Sequence, residues 1–91
     1  MYHVQIDTHF SKGNLDISHA IFPGQSNKEV SFSSCLCHPN LANNEVSGPA
    51  LLMKVAEYIR SMDNRHYTYR FVLAPETIGS LCYLSKYLNN L

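Results

Sequence analysis

One stretch limits the possible folds more than any other: residues 29 to 74, where two extended segments enclose a helix. In EVSFSSCL (29 to 36), Val30, Phe32, Ser34 and Leu36 share one face, the two-residue period of a strand. Further on, Leu51, Leu52, Val55, Ala56, Ile59 and Met62 recur at three- and four-residue spacing, which predicts an amphipathic helix over 49 to 62. Pro49 suits the first helical turn, where its missing N–H has no partner to lose, and Asp63 and Asn64 end the helix. YTYRFVLA (67 to 74) is aromatic and β-branched, with Val72, Leu73 and Ala74 nearly continuous, as in a strand buried on both faces. A strand, a crossover helix and a strand make a βαβ unit, whose strands are parallel and whose connection is right-handed.

The flanking segments fill out an α/β fold. HVQIDTHF (3 to 10) alternates Val4, Ile6, Thr8 and Phe10 against His3, Gln5, Asp7 and His9. LDISHAIF (15 to 22) sets Leu15, Ile17, His19 and Ile21 on one face, and the turn signal KGN (12 to 14) between the two predicts an antiparallel hairpin. PGQSNK (23 to 28) is a second turn. Thr77 to Leu91 carries Ile78, Leu81, Leu84, Leu88 and Leu91 and is expected to be a second helix. The expected order is β-β-β-α-β-α, with a mixed sheet.

Composition bounds the function. Ninety-one residues make one domain at most, and a chain of this size buries only roughly 60–65% of its unfolded surface. Seven Lys and Arg balance seven Asp and Glu, so nothing steers the chain toward nucleic acid or an anionic membrane. Only 15% of residues are charged, which leaves room for self-association. No apolar run approaches the ~20 residues of a membrane helix, and residues 1 to 10 lack the basic start and apolar centre of a signal peptide. Cys35, Cys37 and Cys82 are an odd set of thiols, and a reducing cytoplasm is the expected compartment.

Sheets of this kind bind ligands at the carboxyl ends of their strands. Here those ends carry CHPNLANNEVSG and APETIGS, which the parallel pairing brings side by side. Cys35-x-Cys37 suits two small core positions as well as two metal ligands, and the CxxC redox spacing is absent. His38 ends one strand, with Pro39 turning the chain away, and its imidazole is either a zinc ligand or a loop side chain bonded to backbone. Glu76, at the end of the neighbouring strand, either favours the start of the following helix through the helix dipole or acts as ligand or general base. His3, His9, His19 and His66 show no ligand spacing.

The segment CLCHPNLANNEVSGPALL resembles the strand-loop-helix of the co-catalytic zinc aminopeptidases, and YRFVLAPETIGS resembles their next strand. The pattern is most similar to an aminopeptidase-like branch linked to polysaccharide biosynthesis, over residues 15 to 85. The resemblance implies a three-layer αβα zinc-exopeptidase-like fold, of which residues 1–91 are a partial aminopeptidase-like domain. It implies that His38 is a zinc ligand and that Glu76 is a metal ligand or the general base of hydrolysis. Departures accompany these matches. Asn40 stands where the family has an aspartate that orients the histidine, and Asn44 stands where an aspartate bridges two metals. Glu45 follows in place of an asparagine, a carboxylate slipped by one position, and Pro75 takes the place of the second glutamate. The implied later aspartate and second histidine have no counterpart in residues 77 to 91. The expectation is a fragment of a zinc aminopeptidase-like hydrolase, inactive alone, with an incomplete zinc site and a peptide or amino-acid amide as ligand. The alternative is a non-catalytic binding or assembly module that uses the same cleft.

Overall fold

A computed structural model describes residues 1–38 and 40–90, and the element order is β1 (Ser18–Phe22), β2 (Glu29–Cys35), α1 (Ser47–Ser61), β3 (Thr68–Ala74) and α2 (Ile78–Tyr87). A π-helical turn, Ala42–Val46, leads into α1, and a 3-10 turn, Leu88–Asn90, follows α2. Pro39 and Leu91, expected at the bend after His38 and at the helix end, lie outside the described residues.

The three strands form one mixed sheet in the order β1-β3-β2. As expected, β2 and β3 are parallel neighbours, in register from Glu29 opposite Thr68 to Cys35 opposite Ala74. The centre goes to β3 because it is the most continuously apolar strand, and its alternate side chains feed two separate cores. Tyr69, Phe71 and Leu73 face α1, where Phe71 packs with Leu52 and Ile59. Val72 and Ala74 face α2 and pack with Tyr83. The two helices therefore cover opposite faces of the sheet.

The N-terminal hairpin is a correction. Residues 1–17 carry no strand, and the expected strand over 3 to 10 is absent, so the first of four predicted strands drops out of the order. Ile6 is 77% exposed and Phe10 95%. Alternation makes a segment two-faced but gives it no partner for its backbone groups. The second half of the supposed hairpin pairs antiparallel with β3 instead, Ser18 opposite Leu73 through Phe22 opposite Tyr69.

Two residues, Arg65 and Gly24, tie the far end of the sheet together. The Arg65 guanidinium donates to the carbonyls of Met62 at 2.9 Å and of Ile59 at 3.3 Å, where the last turn of α1 leaves acceptors unpaired. Its Nε donates to the Pro23 carbonyl at 3.1 Å, so the helix end also holds the β1–β2 turn. Gly24 sits in that turn, its N–H donating to Thr68 Oγ1 at 3.1 Å. A Cβ on Gly24 would run into the carbonyl of Tyr67, a backbone atom fixed by the start of β3. Gly24→Ala is therefore expected to cost about 2–3 kcal/mol, the upper part of the usual range for overpacking. A urea midpoint within error of the parent protein would show that the turn gives way freely.

Candidate functional site at the carboxyl edge of the parallel strands

The parallel ladder continues one step past β2, where Leu36 N–H donates to the Ala74 carbonyl at 3.2 Å. At the next step the backbone pairing gives way to side chains. Glu76 N–H donates to Cys37 Sγ at 2.9 Å, and Cys37 N–H donates to Glu45 Oε2 at 2.6 Å. The second oxygen of Glu45 accepts from Asn44 Nδ2 at 3.3 Å. Glu45 is only 3% exposed although it lies in the π-helical turn beside the strand end. A carboxylate can be buried this way only when its oxygens are matched by donors, and here two donors meet it.

His38 follows Cys37 directly and is exposed, as is Glu76. Both predicted site residues thus stand at one edge of the sheet, one step beyond the paired backbone. The residue after Glu76, Thr77, has φ 54° and ψ −75°. That is close to a classic γ-turn, a conformation a β-branched residue adopts only under strain. It turns the chain from β3 straight into α2, and backbone strain of this kind gathers at binding and catalytic edges.

The thiols complete the edge. Cys35, half-buried, has its thiol pushed up from the ordinary value, first by burial and then by the negative charge of the Glu76 carboxylate. Cys37 and Glu45 act in the same direction. A cavity of about 230 Å³ opens beside Cys35 on the α2 face, lined also by Ser33, Ala74, Ser80 and Tyr83. Among the described residues, no group of three His, Cys, Asp or Glu side chains is placed to hold a metal ion.

Two roles here escaped the sequence reading. Glu45 looked like a displaced metal carboxylate, but its oxygens face the Cys37 amide and Asn44. The sequence pattern suits Cys37 as a ligand or a core residue, yet its sulfur accepts from the neighbouring strand end. Parity offered a signal for Cys37: it lies where the ladder of two parallel strands runs out, so some atom there has to meet the next N–H.

Known proteins resemble the chain in sequence and in structure. A family described as a domain of unknown function, DUF4910, matches residues 4–91. The chain belongs to that family. It is 35% identical over 85 residues to a Clostridium acetobutylicum protein provisionally named for polysaccharide biosynthesis with an aminopeptidase-like domain. That alignment covers 93% of this chain but 19% of the relative, so the chain spans about a fifth of its relative's length. A crystal structure of a protein provisionally named a peptidase, also from Clostridium acetobutylicum, superposes with a TM-score of 0.78 at 32% identity. It covers 81% of this chain and 17% of the crystallised one.

Proposed function

We propose that this member of the DUF4910 family is one part of an aminopeptidase-like hydrolase domain and does not hydrolyse substrate by itself. The observation that carries the reading is coverage: nearly all of this chain aligns with a fifth of a relative that bears the aminopeptidase-like name. The fold we assign is one corner of a three-layer αβα exopeptidase-like sheet, supported by helices on both faces of the sheet and by the structural likeness. The edge bearing His38 and Glu76 would face a peptide or amino-acid amide, with Glu76 the carboxylate that moves a proton. The odd set of thiols supports a reducing, cytoplasmic setting, and among the described residues no helix is long and apolar enough to cross a membrane.

Zinc is the ion this reading implies, and His38 and Glu76 are the donors the chain would bring to it. A hydrolytic zinc site takes three protein ligands and a water. Asn44 offers a neutral amide whose nitrogen is bonded to Glu45, and both Glu45 oxygens are already engaged. The residues present do not fit a complete centre, still less one of two metals.

The expected result is no appreciable turnover of a fluorogenic aminoacyl amide by this chain, with or without added zinc. The same assay on Glu76→Gln, with zinc content measured before and after chelation, closes the test. Turnover that needs zinc and disappears in the Gln variant would overturn the proposal. Tight peptide binding without metal would favour the binding-module alternative.

A further inference from the structure

We infer that Glu45 and Cys37 are positioning residues, a bracket that sets His38 and Glu76 against each other across the strand ends. The assignment of a chemical role to His38 and Glu76 rests on the proposed function. The bracket itself rests on geometry alone.

The bracket has two bonds that meet at one residue. The Glu45 carboxylate takes the Cys37 N–H at 2.6 Å, and the Cys37 sulfur takes the Glu76 N–H at 2.9 Å. A π-helical turn, the end of β2 and the end of β3 are thereby joined through Cys37. The first bond is short and its acceptor is a carboxylate, the stronger class of hydrogen bond, and the acceptor residue, Glu45, is buried. Glu45 is itself fixed on the opposite side, its N–H donating to the Leu41 carbonyl at 2.8 Å and its second oxygen accepting from Asn44. Its carboxylate therefore has little freedom to leave.

The position of Cys37 gives the bracket its consequence. His38 is the next residue, so whatever fixes the Cys37 amide fixes the peptide from which His38 departs. Glu76 is held by its own N–H. The strained turn at Thr77 follows at once, and a backbone kept in such a conformation needs holding on the strand side. Cys37 supplies that hold. Glu45, next to the position that the resemblance aligns with a metal-bridging aspartate, thus shapes the edge and does not hold an ion.

The test reads single amides by solvent-exchange NMR on the whole chain, with no metal present. In Cys37→Ala the Glu76 amide loses its acceptor, and its exchange is expected to rise about three- to tenfold, while Cys37→Ser, which restores an acceptor, returns it most of the way. In Glu45→Ala the Cys37 amide is expected to speed up by a similar factor, and the Glu76 amide with it, although Glu45 and Glu76 do not touch through backbone. The amides of Phe71 and Val72 are the control for folding. Should Glu45→Ala unfold and raise these too, Glu45→Gln, which keeps the volume and loses the charge, and Cys37→Ala decide the matter. Glu76 exchange unchanged in Cys37→Ala, or indifferent to Glu45 in a folded variant, would overturn the bracket. Adding zinc chloride and following the His38 ring signal is the second arm. A response in the parent protein that weakens at least about threefold in Cys37→Ala supports positioning of the ligand pair. No response in the parent protein counts against the zinc reading, and the metal-free arm still decides the bracket.

Discussion

Phe71→Ala is expected to remove about 3–5 kcal/mol of stability, the range for deleting a large buried aromatic and leaving its cavity. Phe71 is 5% exposed at the centre of the middle strand. Its ring stacks on Phe32 of β2 with centroids 5.0 Å apart and meets Phe22 of β1 edge-on at 5.6 Å. It also packs with Leu52 and Ile59, so this one side chain joins all three strands to α1. A chain of this length has a total stability of roughly 5–14 kcal/mol, and the variant would keep little of it. Phe71→Leu, closer in volume, should cost less than about 1.5 kcal/mol. Phe10→Ala should fall within about 0.5 kcal/mol of the parent, because Phe10 is 95% exposed and touches no core. Urea unfolding of the three variants checks the order. A loss under about 1 kcal/mol for Phe71→Ala would mean that the α1 core lies elsewhere or closes over the gap without cost.

The contrast between Phe71 and Phe10 marks how far the sequence could be read. Phe10 sits in an alternating pattern that makes one face apolar, whereas Phe71 sits in a nearly continuous apolar run, as in a strand buried on both faces. For residues 29 to 74 the pattern had a second constraint, a helix period between two strand periods, and only a parallel crossover satisfies both. Residues 3 to 10 had no such constraint. Their alternation was compatible with a strand but named no partner, and the partner chosen by the following segment, β3, lies some fifty residues away in sequence, beyond what a turn signal such as KGN can report. The carboxyl edge was legible for a similar reason: parallel strands bring their ends together whatever follows, so His38 and Glu76 had to share an edge. The burial of Glu45 was not legible, since a π-helical turn has no clear sequence signal and the turn decides which way the carboxylate faces. The ion pair of Arg70 was not legible either. A single charge within YTYRFVLA, a strand expected to be covered on both sides, was itself the signal that a partner had to exist.

That partner is Glu29, and Glu29→Ala is expected to cost about 3 kcal/mol, the lower end of the range for breaking a buried pair. Arg70 is 3% exposed and donates through Nε and Nη2 to the two oxygens of Glu29 at 2.7 and 3.0 Å. A third donor, Nη1, reaches the Tyr83 hydroxyl of α2 at 3.0 Å, so the guanidinium also secures the helix on that face. The cost falls at the lower end because the Glu29 side chain is 19% exposed and water reaches that end of the pair. Loss of Glu29 does not let Arg70 shed its charge, since a guanidinium stays protonated at any accessible pH. The penalty is the loss of the carboxylate that the buried cation's Nε and Nη2 bind, and replacing both partners with apolar residues, Glu29→Leu with Arg70→Met, should therefore cost less than Glu29→Ala alone. Acid titration gives an independent reading. The hydrogen bond from Arg70, with its charge, holds the Glu29 carboxyl below its ordinary 4.5 against the opposing effect of burial. A carboxyl whose value is lower in the folded state contributes stability that is complete above the unfolded value and is lost as pH falls through the folded one. The stability gap between the parent protein and Glu29→Ala should thus be full at pH 7 and narrow in the acid range below 4.5. Urea midpoints across that range give the comparison. A gap that stays constant into strong acid would mean that the cost of Glu29→Ala comes from lost packing and not from the charge on Arg70.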